Sequence, residues 1–268
     1  MGYRRHRLLG VMVVSLGLGV TLTAHPAHLG AQTRPALPFE AGEKLTYDTR
    51  AGRFLSGHAE LTVAGPAEVQ GVQAMVLHFS FSTRVGPLGV SNESTSWIDP
   101  RRMATLRFVK KEQQLLRHQS EDVAINRLTG HWRDADGREG DSPSSSPLDE
   151  LSFIYLVRTL ELPADSTVQL VRHFDPERNP TTVRLLGRDS VSSPAGRVPT
   201  REIEMRVRDS RHYRGEGVIR FSISDDSCRR PLRIESTMPG AGTVMMTLVG
   251  VEPAIAGCGV GLAIAPRR

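Results

Sequence analysis

Met75-Val76-Leu77-His78-Phe79-Ser80-Phe81-Ser82 is the stretch that decides the fold class. Met75, Leu77, Phe79 and Phe81 alternate with Val76, His78, Ser80 and Ser82. In an extended strand successive side chains leave opposite faces, so this stretch has one apolar face and one wetter face. A helix would scatter the same apolar residues around its circumference. The period of two returns on either side. Ala59, Leu61 and Val63 alternate with His58, Glu60 and Thr62. Ile203, Met205 and Val207 alternate with Glu204, Arg206 and Arg208, and Ile219, Phe221 and Ile223 with Arg220, Ser222 and Ser224. Half-buried antiparallel strands carry this pattern.

Turn signals punctuate the strands at Ala64-Gly65-Pro66, Gln70-Gly71, Val85-Gly86-Pro87, Asp99-Pro100, Asp136-Gly137, Ser193-Pro194-Ala195-Gly196 and Pro239-Gly240. Their spacing predicts a mainly β protein: a single large curved antiparallel sheet or an incomplete β-barrel of about 10–12 strands. One β-rich domain is expected over 39–252, after an extended leader over 32–38 and before a flexible tail over 253–268.

One segment breaks the pattern. Ser146-Pro147-Leu148-Asp149 offers an N-cap, a proline at the first helical position and an acid three residues on. Leu148, Leu151, Ile154 and Tyr155 follow helical spacing, and Phe153, Leu156 and Val157 make the segment apolar nearly all round. This predicts a short buried helix near 147–160, ended by Pro163, whose Leu151, Ile154, Tyr155 and Arg158 line the concave face of the sheet. Ahead of it, 134–145 (DADGREGDSPSS) reads as a polar loop, either a solvated excursion or a lid.

The first residues read as an export signal. Arg4, Arg5 and Arg7 precede Leu8–Ala24, a run with no Asp, Glu, Lys or Arg, and small residues follow. The expected cut lies between Ala31 and Gln32, with Ala24 and Ala27 as alternatives. An uncleaved anchor is the other reading, and the three glycines in the run weaken it as a helix. No Cys lies near the cut for lipid attachment, and no later window is apolar enough to span a bilayer, so the expected location is periplasmic or secreted. Arg4, Arg5 and Arg7 account for three units of the formal net charge of +5, leaving +2 on the mature chain, with Arg interspersed among acids as in Arg206-Val207-Arg208-Asp209. That balance, and few aromatics for base stacking, exclude a nucleic-acid partner. Cys228 and Cys258 form an even pair in an exported chain. A disulfide between them would close a loop of about thirty residues and contribute about 3 kcal/mol; two buried thiols are the alternative.

No motif for chemistry is present. The mature histidines, His58, His78, His118, His131, His173 and His212, form no His-Glu-x-x-His and no Cys/His zinc spacing. There is no Gly-x-Ser-x-Gly elbow and no phosphate loop, and Gly257–Gly261 has no helix after it. Asp225-Asp226 and Asp175–Pro180 read as turns rather than calcium sites, because Arg178, Arg229 and Arg230 lie beside them. No catalytic residue, metal ligand or cofactor is assigned.

Several short segments in order resemble a known family: Pro38–Asp48 (PFEAGEKLTYD), Gly57–Leu61 (GHAEL), Asp149–Arg158 (DELSFIYLVR), Pro194–Arg197 (PAGR), Ser224-Asp225-Asp226 and Arg230–Ile234 (RPLRI). Over roughly Phe39 to Gly250 the chain is similar to the bacterial exported family catalogued as domain of unknown function 3108. The resemblance implies a secreted or periplasmic β-rich protein, and it offers no catalytic residues to carry over.

The expected function is a non-enzymatic binding module for an apolar small molecule or an envelope-derived component. A structural or interaction protein of the cell envelope is the alternative. An enzyme would need residues such as His173, Asp175 and Arg158 to converge in space. The sequence leaves the oligomeric state open.

Overall fold

The computed structural model describes residues 36–252, apart from 53–54, 86–87, 115–116, 194–195, 211–212 and 241. The export segment with its Ala31–Gln32 cut, the first residues of the leader, the tail over 253–268, Cys258 and His212 lie outside the described residues.

The described strands are β1 (Lys44–Ala51), β2 (Leu55–Val69), β3 (Val72–Val85), β4 (Leu88–Asp99), β5 (Ala104–Gln114), β6 (Arg117–Ile125), β7 (His131–Asp134) and β8 (Glu139–Asp141). Helix α1 (Glu150–Thr159) follows, then β9 (Thr167–Leu170), β10 (Thr181–Ser193), β11 (Gly196–Arg208), β12 (Glu216–Ser224), β13 (Pro231–Met238) and β14 (Gly242–Glu252). All fourteen belong to one antiparallel sheet, in the order β8-β7-β6-β5-β4-β3-β2-β1-β14-β13-β12-β11-β10-β9. Two meanders thus spread in opposite directions from the central β1–β14 pair, and the chain crosses from one edge to the other through α1. The sheet does not close into a barrel. The edges are three and four residues long. Short edges limit strand addition from outside.

The strand count exceeds the expected 10–12 because β7, β8 and β9 are too short to show a period of two. The stretch 134–145 is not a plain loop: it holds the turn and second strand of the β7–β8 hairpin before the serine-rich crossing. Ala64-Gly65-Pro66 is not a turn either. β2 runs through it, and the pairing with β3 slips between Ala64 and Ala67. Pro66 has no N–H to give to the ladder, and the bulge absorbs it.

One apolar cluster holds both meanders and the helix together. Tyr47 of β1, Leu61 of β2, Leu77 of β3, Phe108 of β5, Ile203 of β11, Phe221 of β12 and Ile234 of β13 all join α1 residues Phe153, Leu156 and Val157. The helix therefore fills the concave side of the sheet, where it packs on β3 and β4.

The helix starts later than the sequence suggests. Its cap is Asp149, not Ser146: the Asp149 carboxylate accepts from the Leu151 and Ser152 N–H groups, and the Ser152 hydroxyl accepts from Asp149 N–H. Ser96 of β4 and Thr105 of β5 donate to the same carboxylate at 2.7 and 2.5 Å. Burial pushes the Asp149 pKa up, and these hydroxyl and N–H donors pull against it. The sheet selects the cap, because only Asp149 is placed to accept from both strands.

Candidate functional site

At the last turn of α1, Arg158 is a clamp. Its Nη1 donates to Glu43 Oε1 at 2.6 Å, and its Nη2 to Glu43 Oε2 at 2.9 Å. Nη2 also reaches the carbonyls of Pro38 (2.9 Å) and Cys228 (3.0 Å), and Nε that of Arg229 (3.0 Å). Phe39 and Tyr155 rings lie 5.0 and 5.5 Å from its guanidinium carbon. Both charges are about 1% exposed, so neither can go unpaired without a large cost. Two of the segments that carry the family resemblance, Pro38–Asp48 and Asp149–Arg158, meet at this guanidinium, and the carbonyls of Cys228 and Arg229 come from the turn between two others. Leu151 and Tyr155 are buried in the same packing, and Ile154 is partly buried.

At the first turn lies a second polar cluster. Leu148 forms a parallel bridge to His173, which places His173 beside the helix start. The Asp175 N–H donates to His173 Nδ1 at 3.0 Å, and Arg178 Nη1 lies 3.2 Å from its Nε2. Burial, then the Arg178 charge, lowers the His173 pKa to about 3, so the ring is neutral at physiological pH. His173 and Arg158 are held at opposite ends of a helix about 12 Å apart along its axis. The structure thus does not bring Arg158 together with His173 and Asp175.

From this cluster a cleft of about 240 Å³ opens, lined by Lys110, Glu112, Gln119, Glu121, Arg138 and Arg178 among others. Lys110 and Glu112 follow Phe108 on the concave face of β5. Their ammonium and carboxylate are 3.1 Å apart, and Lys110 is 4.0 Å from Glu150. Arg178 reaches Glu150 at 2.6 Å and also bonds Asp209, and Arg138 pairs with Asp134. Burial alone would raise the Glu150 pKa, but the Lys110 and Arg178 charges outweigh it and hold the group well below the carboxylate range. Burial lowers and Glu150 and Glu112 raise the Lys110 pKa, with a net upward result. Glu121 is pushed up by burial and by Glu150. Every cation lining this cleft has an acidic partner.

The other cleft is different. At the β1–β2 and β3–β4 hairpin end, a groove of about 690 Å³ is lined by Arg50, Ser56, Gly57, Ser82, Thr83 and Arg84, together with neighbours that include His58 and Ser91. Arg50 pairs with Ser56, and Gly57 with Thr83, so Arg50, Ser56 and Arg84 form one cross-strand row on the face away from the core. All three are exposed. Neither Arg50 nor Arg84 forms an ion pair among the described residues. The acid in the groove, Asp48, lies 3.3 Å from His58. Gly57 has a steric reason: a Cβ there would come within 2.3 Å of the Ser82 carbonyl oxygen.

The remaining sequence candidates have local roles. His78 bonds Thr95 at 3.0 Å and His131 bonds Asp141 at 2.9 Å, while His118 is exposed. Trp97 lies under Arg107, and Trp132 packs edge-on against Phe174. Asp226 caps the Cys228 and Arg229 N–H groups, Asp225 pairs with Arg188, and Asp175 caps Glu177. Among the described residues no three His, Cys, Asp or Glu side chains form a metal-holding group, and no helix is long and apolar enough to cross a membrane. Sequence reasoning missed Glu43, the Lys110–Glu150–Arg178 network and the Arg50–Arg84 row.

An open antiparallel sheet curled over one buried helix defines a barrel-like β domain. A solved structure shares it: the β-barrel-like protein of domain of unknown function DUF1849 from Brucella abortus, with TM-score 0.55 and 13% identity, covering 79% of this chain and 97% of that one. At that identity the likeness is one of fold. The chain belongs to the family described as "Protein of unknown function (DUF3108)", which matches residues 46–249. No curated protein matches it in sequence.

Proposed function

We propose that this chain is an exported, non-enzymatic binding module that holds a component of the cell envelope in the β1–β4 groove. Residues 1–31 direct export, cleavage falls between Ala31 and Gln32, and the mature domain works in the periplasm or outside the cell. In that oxidising compartment Cys228, which is buried, pairs with Cys258.

The observation that carries this reading is the groove itself, where two arginines without acidic partners among the described residues share a row with Ser56 and lie next to Ser82. The concave face offers an apolar small molecule less room, since Leu151, Phe153, Leu156 and Val157 of α1 are buried there. The titratable groups near α1 are committed to the fold: Arg158 makes five acceptor contacts within the fold, and His173 is neutral.

The test is to express the full chain with its own leader in a Gram-negative host and fractionate the cells. Protein from the periplasm is expected to begin at Gln32, to resist thiol alkylation under denaturing, non-reducing conditions, and to carry a non-covalent envelope adduct in native mass spectrometry. Ser82→Trp, which fills the groove from an exposed position, is expected to remove the adduct. Retention in the cytosol with residues 1–31 intact would overturn the export reading. An adduct indifferent to Ser82→Trp would overturn the assignment of the groove.

A further inference from the structure

Resting on the groove as the ligand site, we propose that its ligand carries a phosphate group, held between the Arg50 and Arg84 guanidiniums over the Ser56 hydroxyl. Adjacent strands lie about 4.8 Å apart, so side chains on β1 and β3 in one row start about 10 Å apart, with β2 between them. Arg50 and Arg84 occupy those two positions, and Ser56 occupies the middle one. A small residue between two long ones leaves a gap that both guanidiniums can reach across.

The electrostatics select an anion. An arginine beside an acid is already neutralised, as Arg178 is by Glu150 and Asp209. Arg50 and Arg84 have no such partner among the described residues, and Asp48 faces His58. Two arginines against one carboxylate leave the groove net positive, which favours an anionic guest.

The donor geometry selects phosphate over carboxylate. A planar carboxylate is satisfied by one guanidinium fork. Two forks arriving from opposite sides, with hydroxyls below, suit a tetrahedral group whose oxygens point in several directions. Ser56, Ser82 and Ser91 supply hydroxyls in the groove. The Thr83 hydroxyl is already committed: it donates to the Ser56 carbonyl at 2.6 Å and fixes the backbone beneath the site. Gly89, which pairs with Arg84, adds no side chain to that end of the groove.

Phosphate can reach the groove as a free ion or on a lipid headgroup. Two arms separate these sources. In the first, the mature chain is titrated with inorganic phosphate at constant ionic strength, with acetate as the planar control. In the second, vesicles of phosphatidylglycerol are compared with vesicles of phosphatidylcholine. Phosphate is expected to bind more tightly than acetate, and binding should weaken with salt because the site is exposed. Binding of phosphatidylglycerol vesicles as well would identify a headgroup as the source. Binding of phosphate alone would identify a soluble ester or ion.

Arg50→Gln and Arg84→Gln are each expected to weaken binding about tenfold, the usual loss of a charge-assisted hydrogen bond. Arg233→Gln, outside the groove, should leave it unchanged, and an unaltered melting temperature establishes that each variant folds. No preference for phosphate over acetate, or wild-type affinity in the double variant, would overturn the proposal. If the double variant keeps the native envelope adduct while Ser82→Trp loses it, the groove stands as the binding site and the phosphate class alone is wrong.

Discussion

The two clefts of this sheet hold similar cations and differ in what answers them. In the Lys110 cleft, each ammonium or guanidinium meets a carboxylate from its own strand or hairpin, or from α1. In the β1–β4 groove, Arg50 and Arg84 meet none among the described residues. The first arrangement sits where the helix start, β5 and the segment around His173 must be fastened together. The second sits on the outward face of two hairpins, where nothing in the fold needs a charge. The difference separates charges that hold the molecule together from charges left for a guest.

The strongest way to break that distinction is at the Arg158 clamp, the extreme of the first kind. Arg158→Met leaves Glu43 buried and unpaired, and should cost about 3–5 kcal/mol in denaturant unfolding. The double change Glu43→Leu with Arg158→Met removes both charges and should recover much of that loss. If Arg158→Met unfolds like the wild type, the clamp is not structural. Next in size is Asp149→Ala, which removes the helix cap and leaves the Ser96 and Thr105 hydroxyls without their acceptor. Roughly 2 kcal/mol is expected, read from the same unfolding curves.

A smaller, pH-dependent effect comes from His173. Its folded pKa is about 3, below the ordinary value of 6.5. Between those values the unfolded chain binds a proton that the folded chain refuses. Stability from this group is therefore complete above pH 6.5 and is lost as the pH falls toward 3, by at most about 1.4 kcal/mol per pH unit. Glu150 adds its own loss below the ordinary carboxylate range, because its folded pKa is depressed. His173→Gln should flatten the decline between pH 6.5 and 4.5, which melting curves across that range would measure. The smallest stability effect belongs to the groove. Arg50→Gln and Arg84→Gln should stay within about 0.5 kcal/mol of wild type, as exposed positions do. A larger change at either position would place it among the structural charges.

The sequence made the fold legible wherever alternation ran long enough to show. β3, β11 and β12 stand where the period of two put them. It was silent on β7–β9, because three or four residues cannot establish a period. Ala64-Gly65-Pro66 misled because proline and glycine mark a bulge as readily as a turn. The helix was readable from its apolar circumference. Its cap was not, since Ser146 and Asp149 are both cap residues and the choice depends on Ser96 and Thr105 from distant strands. Arg158 stood out as a charge on a greasy helix, but its partner Glu43 is 115 positions away. The groove left no local mark at all. Its residues come from four strands, and arginine is so common in this chain that Arg50 and Arg84 look like any other surface pair until the sheet aligns them.

The most direct measurement is a nuclear magnetic resonance titration of the mature chain with inorganic phosphate, following backbone amides and arginine side-chain signals together. Saturable shifts are expected at Arg50, Ser56 and Arg84, with Lys110, Glu150 and Arg178 unmoved. Shifts centred on Lys110 and Arg178, or none at Arg50 and Arg84, would contradict the proposal.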